Sequence, residues 1–196
     1  MYGIRTLSFS SRRIERGESK ISRFSIDASD CKPLGKSGEC ISAIGIGTWN
    51  IYNYRAAEEA LGTAIEIGLN VVETAGFYAE GLAEELIGRI VSKVGRERIF
   101  IITKLLPHFL TNEESAIKAL QTSLKRLRTT YVDLLLIYGT HEFLSVEQQV
   151  KLLEVLVERG YTRFIGVANF KVRELKEAIE STKKHDIVVN QVTYNV

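Results

Sequence analysis

Apolar and polar positions along the chain follow two different periods, and each period predicts an element. Short, nearly continuous apolar runs fall at Ala43 to Gly47, Asn70 to Thr74, Ile99 to Lys104, Val132 to Tyr138, Thr162 to Ala168 and Ile187 to Thr193. Runs of that length and continuity are what strands buried on both faces require. Between them apolar residues recur at helical spacing: Ala56, Ala60, Ala64 and Ile67; Leu82, Leu86, Ile90 and Val94; Ile117, Leu120, Leu124 and Leu127; Leu152, Val155 and Leu156; Leu175, Ala178 and Ile179. Each set forms one apolar stripe along a helix. Thr111, three residues before Glu114, and Ser145, ahead of a polar first turn, are expected to cap two of these helices. Before the first run, Leu34 and Gly35-Lys36-Ser37-Gly38 followed by Ile41 read as a hairpin turned by glycines.

Alternating strands and helices predict a parallel sheet with helical crossovers, either a barrel or an open doubly wound sheet. An open sheet would be favoured by a phosphate-cradling loop after the first strand, of the form GxGxxG or GxxxxGK[ST]. Neither occurs; the nearest stretch, Gly45-Ile46-Gly47-Thr48-Trp49-Asn50, ends in asparagine. A barrel therefore leads, with its chemistry at the C-terminal ends of the strands. The βα repeat of about 29 residues suits a complete barrel of ~250 residues. The fold class expected of these 196 residues is thus α/β, an incomplete (β/α)8 barrel of about six strands and five helices preceded by a β-hairpin. Such a sheet exposes the edges of its first and sixth strands, which invites self-association or a C-terminal fragment supplied in trans.

Residues 1–29 carry seven serines and six Lys or Arg against three acids, with no sustained apolar period. They read as a poorly ordered N-terminal extension, and residues 30–196 as the partial barrel domain. Glu15, Glu18 and Asp27 depart from the acid-poor pattern of a transit peptide.

Composition narrows the function classes. With 45% hydrophobic and 26% charged residues the chain is neither disordered nor collagen-like, and a net charge of +2 gives no charge-driven affinity for nucleic acid. No apolar run approaches the ~18 residues of a membrane span. Cys31 and Cys40 form no CxxC pair, and His108, His141 and His185 are too dispersed for a local zinc motif. No metal is expected, and a reduced, cytoplasmic setting fits best, with a disulfide between the two cysteines as the less favoured alternative.

The strand ends gather a polar set: Thr48 and Trp49, Glu73 and Tyr78, Lys104, Tyr138 with His141, Ala168 with Asn169, and Asn190 with Gln191. A carboxylate, a phenol and an ammonium brought together make an acid–base unit, because an ammonium stabilises phenolate and lowers a phenol pKa from about 10. Glu73 is placed to hold the Lys104 charge.

Here a resemblance becomes specific. Glu73-Thr74-Ala75-Gly76-Phe77-Tyr78 with Glu84-Glu85-Leu86-Ile87-Gly88 resembles the DTAxxYG...SExxIG signature of aldo-keto reductases. In the same order Leu34 to Gly38 is similar to the family's opening hairpin, Ile44 to Trp49 to its first strand and Ile102-Thr103-Lys104 to its lysine strand. Tyr131 to Ile137 is similar to YVDLxLIH, Phe164 to Phe170 to IGVSNF, and Val189 to Tyr194 to NQVxY. The resemblance covers about residues 31–195 and implies a (β/α)8 barrel that passes hydride from NADPH, with NADH as the alternative, to a small aldehyde or ketone. It implies Tyr78 as general acid, Lys104 as the group that tunes it and Glu73 as the orienting carboxylate. Asn169 and Gln191 would bind the nicotinamide carboxamide, with Thr48 beside them, while Trp49 and His141 would line the substrate pocket.

Three residues depart from the pattern. Glu73 stands for aspartate, Tyr138 for the histidine at the substrate oxygen, and Ala168 for a serine beside Asn169. In the family the segment after the sixth strand carries the basic residues that grip the NADPH phosphate. The alternative reading is therefore a truncated, catalytically silent relative that acts as a binding or regulatory subunit.

Overall fold

The computed structural model describes residues 31–194; the extension expected over residues 1–29 lies outside them. Strands β1 (Cys31–Pro33) and β2 (Cys40–Ser42) pair antiparallel around the glycine-containing turn. Gly35 sits at φ +55°, and a Cβ there would meet the Val188 carbonyl oxygen at 2.7 Å, so glycine is what lets the turn lie against the last strand. Cys31 and Cys40 form a disulfide across this hairpin, with Cα atoms 5.7 Å apart. That corrects the preference for a reduced pair. The absence of CxxC was a poor guide, because antiparallel pairing brings cysteines nine residues apart to the separation a disulfide needs.

Six parallel strands follow in sequential spatial order: β3 (Ile46–Gly47), β4 (Val71–Glu73), β5 (Phe100–Leu105), β6 (Val132–Tyr138), β7 (Thr162–Ala168) and β8 (Ile187–Gln191). Helices α1 (Tyr54–Glu66), α2 (Leu82–Val94), α3 (Glu113–Leu127), α4 (Val146–Glu158) and α5 (Val172–Ser181) fill the five crossovers. An order that never reverses is barrel winding, in contrast to a doubly wound sheet. The result is a curled, incomplete barrel of (β/α)8 type with edges at β3 and β8. All six strands and five helices expected from the sequence are present. The first strand is shorter than Ala43 to Gly47, because parallel pairing begins only at Ile46↔Val72 and Ile44 is 67% exposed. Helix α3 is capped by Asn112, whose Oδ1 accepts from the Ser115 amide at 2.9 Å, and not by Thr111. Ser145 caps α4 in a reciprocal box with Gln148, as its position predicts.

The strand period of two sorts side chains into two cores. Leu135 and Ile137 of β6 face the helices with Val72, Ile101 and Ile165, whereas Leu134 and Leu136 face inward with Leu34, Val71 and Phe100. Leu34 thus carries the hairpin into the barrel interior. Among the described residues no helix is long and apolar enough to cross a membrane.

Candidate active site

The same parity fixes which side chains enter the barrel. Glu73 shares its face of β4 with Val71, Lys104 its face of β5 with Phe100 and Ile102, and Tyr138 its face of β6 with Leu134 and Leu136. Each of the three is at or one residue from the C-terminal end of its strand. Tyr78 comes from the turn after β4. Its amide donates to the Ala75 carbonyl at 3.0 Å. The next three residues, Ala79, Glu80 and Gly81, all have left-handed backbone, φ 46°, 57° and 96°. Two non-glycine residues held there store strain, and the reversal they make leads from Tyr78 into α2.

Three polar atoms meet at that point. The Tyr78 hydroxyl donates to Glu73 Oε1 at 3.0 Å, and Lys104 Nζ donates to the Tyr78 oxygen at 2.9 Å and to the Thr74 carbonyl at 3.2 Å. Lys104 and Glu73 also form an ion pair. Lys104 is 2% exposed, and burial lowers its pKa to about 7. Burial, with a smaller contribution from Tyr138, pushes Tyr78 up to about 12. The sequence argument that the ammonium lowers this phenol pKa does not describe the resting arrangement. Desolvation of the phenolate outweighs the ammonium, and the carboxylate that accepts the hydroxyl hydrogen favours the protonated form.

This cluster opens into a cavity of about 360 Å³, walled by Trp49 and Tyr138 and bounded on the far side by Ala168, Asn169 and Gln191. Trp49 is 64% exposed and meets the Tyr78 ring edge-on, with centroids 4.9 Å apart. Tyr138, 38% exposed, packs against Phe77. Asn169 has left-handed backbone, φ 60°; its amide donates to the Gln191 carbonyl at 2.8 Å, and its Oδ1 accepts from the Thr193 amide at 3.3 Å. Gln191 Oε1 is buried without a hydrogen-bond partner among the described residues, an open acceptor at the cavity wall.

Three residues singled out from the sequence, Thr48, His141 and Asn190, do not line this cavity. Thr48 is buried, and its hydroxyl and amide both donate to the Glu73 carbonyl, at 3.1 and 3.0 Å, tying β3 to β4. His141 turns onto its own loop, where Nδ1 accepts from the Phe143 and Leu144 amides at 2.9 and 3.2 Å. Asn190 likewise closes a backbone loop, donating to the Phe170 carbonyl at 2.9 Å and accepting from its amide at 3.3 Å.

One buried group behind the site was missed. Glu84 on α2 is fully buried, accepting from Thr103 Oγ1 at 2.8 Å and from Arg126 Nη1 at 3.3 Å. Burial raises its pKa in spite of those bonds. It braces β5 one residue before Lys104. Its place three, four and seven residues before Ile87, Gly88 and Val91 puts it on the buried helix face, a signal the sequence carried.

A model described as "Aldo/keto reductase family" matches residues 43–196. Methylglyoxal reductase YeaE of Escherichia coli (strain K12) is 33% identical over 160 residues, which cover 80% of this chain and 55% of that protein. Methylglyoxal reductase DkgB of Salmonella typhimurium is 33% identical over 156 residues, 78% of this chain and 57% of that one. The chain therefore spans about half the length of these relatives. The crystal structure of the thermostable aldo-keto reductase Tm1743 with the inhibitor epalrestat superposes at a TM-score of 0.78, with 38% identity over 84% of this chain and 62% of the other. An aldo/keto reductase from Klebsiella pneumoniae in complex with NADP and acetate gives 0.73, with 30% identity over 80% of this chain and 56% of that one.

Proposed function

This chain belongs to the aldo/keto reductase family, and we propose that it serves NADPH-dependent reduction of a small aldehyde or ketone, or the reverse oxidation, with Tyr78 as general acid. The observation that carries this reading is the buried triad in which Lys104 donates to the Tyr78 oxygen at 2.9 Å and Tyr78 donates to Glu73 at 3.0 Å. Two of the relatives are named methylglyoxal reductases, which makes a ketoaldehyde the first substrate to try.

Bound NADPH supplies the hydride. The open acceptor Gln191 Oε1, with the amide group of Asn169 beside it, suits the N–H of a nicotinamide carboxamide. NADH would use the same two residues. A carbonyl oxygen entering between Trp49 and Tyr138 competes with Glu73 for the Tyr78 hydrogen. Proton transfer to that oxygen leaves a tyrosinate that burial disfavours. The Lys104 ammonium, 2.9 Å away with a pKa of about 7, then stabilises the tyrosinate and returns a proton to it. Tyr138 adds a hydroxyl at the cavity wall, where it can donate a second hydrogen bond to the substrate oxygen.

The second reading is a binding subunit without turnover, and one observation favours it: Glu73 Oε1 already holds the Tyr78 hydrogen. For assembly, the unpaired sides of β3 and β8 favour pairing with another copy or with a separate C-terminal fragment. The test of function is NADPH consumption with methylglyoxal in a preparation that binds cofactor, wild type against Tyr78→Phe. Turnover lost in the variant with cofactor affinity retained supports the acid role. Equal turnover would remove Tyr78 from the mechanism.

A further inference from the structure

A second cavity, of about 460 Å³, lies behind Phe77, between the turns that follow β4 and β5 and the flank of α3. Its apolar walls are Phe77, Leu106 and Phe109, with Ala119 leaving the helix side open. Its charged groups are all cationic: Lys118 and Arg126 line it, Lys104 closes the inner end, and no acidic side chain does so.

These cations differ in how far they are already matched. Lys104 is paired with Glu73. Arg126 Nη1 donates to the Gly76 carbonyl and to Glu84, both at 3.3 Å, while its Nη2 has no acceptor among the described residues. Lys118 has no acidic partner among the described residues. An apolar slot with one free ammonium and one half-used guanidinium is complementary to an organic anion that has an apolar body at one end. We propose that this cavity is a second binding site, for a small arylalkyl or alkyl carboxylate, separate from the hydride-transfer cavity.

The arrangement also gives occupancy a consequence. The Phe77 ring that walls this cavity stands 5.0 Å from the Tyr78 ring and 5.1 Å from the Tyr138 ring, centroid to centroid. An anion packed on Phe77 therefore restrains the aromatic side chain on which both tyrosines rest. Helix α3 packs on α2, α4 and β5, so the helix side of the cavity is held by neighbours on both flanks.

The test is calorimetric titration of 4-phenylbutyrate into the chain of residues 1–196, without cofactor, beside the neutral analogue 4-phenylbutan-1-ol. Saturable binding of the carboxylate is expected, at least about tenfold tighter than the alcohol and weakened about tenfold or more by Lys118→Glu and by Ala119→Trp, which fills the slot. Gln191→Ala, in the other cavity, should leave the affinity unchanged. Lys118 is solvent-exposed, so its variant keeps the fold even if the tryptophan does not fit. Three results would overturn the proposal: no saturable binding, equal affinity for acid and alcohol, or affinity unmoved by Lys118→Glu. Loss of binding in Gln191→Ala would overturn it as well, by assigning the probe to the hydride-transfer cavity.

Discussion

The middle of the sheet and its last edge contribute different halves of the site, and they are built to different standards. Glu73, Tyr78 and Lys104 stand over β4 and β5, strands paired on both sides and backed by fully buried Leu86, Ile101 and Leu135. The Tyr78 hydroxyl, Lys104 Nζ and Glu73 Oε1 are all engaged with one another, and desolvation shifts the proton affinities of Tyr78 and Lys104. Asn169 and Gln191 belong to the ends of β7 and β8. There β8 has a neighbour on one side only, all five of its residues are half-buried, and the Gln191 acceptor is unpaired. The half proposed for proton transfer thus stands over strands paired on both sides, whereas the half suited to a nicotinamide stands at an open edge.

The largest expected effect falls on the half over β4 and β5. Tyr78→Phe removes the only hydrogen offered to a substrate oxygen from between Glu73 and Lys104, and should lower turnover by about 10²–10⁴-fold while cofactor affinity holds. Steady-state rates beside a cofactor titration decide it.

The next effect is in pH. Lys104, at about 7, is charged below that value and neutral above it, while Tyr78 stays protonated to about 12. Carbonyl reduction should be level on the acid side of pH 7 and fall by about tenfold per unit on the alkaline side. Glu73→Gln, which removes the carboxylate favouring the ammonium, should move the break to lower pH. A rate unchanged from pH 7 to 9 would take the Lys104 proton out of the mechanism.

Shortening one arm tests the fit of the triad itself. Glu73→Asp with Tyr138→His should free the Tyr78 hydrogen from its carboxylate acceptor and place an imidazole at the cavity wall. A gain of about tenfold is expected, since misplacement near an ångström costs rates of that order or more. A slower double variant would mean that glutamate and the second tyrosine form a working arrangement of their own.

How much of this is legible in the sequence differs from strand to strand. Strands β6 and β7 are read to the residue, because apart from Asp133, Thr162 and Arg163 near their starts they carry small or apolar residues on both faces. The first strand was overread: Ala43 to Ile46 look apolar, but β4 offers pairing only from Val72. Glu73, Tyr78 and Lys104 could be named because strand ends are the place for barrel chemistry. Thr48 and His141 could not be resolved, since a hydroxyl or an imidazole serves the backbone as readily as a ligand and sequence spacing does not distinguish them. The disulfide was underweighted because hairpin register, not motif spacing, brings Cys31 to Cys40.

That hairpin gives the smallest effect. Its Gly35 turn lies against Val188 of β8, so the disulfide braces the weak edge from below. Reduction, or Cys31→Ser, should cost about 2–3 kcal/mol from the loop it closes. Denaturant unfolding with and without reductant measures it, and an unchanged midpoint would show that Leu34 alone holds the hairpin in place.

Whether the proposed nicotinamide half works from its open edge is decided by titrating NADPH against residues 1–196, following fluorescence with sizing run in parallel. Little or no saturable NADPH binding is expected, together with self-association through the β3 and β8 edges, both relieved by adding a fragment that carries two further βα units. A monodisperse monomer that binds NADPH with micromolar affinity would contradict that expectation.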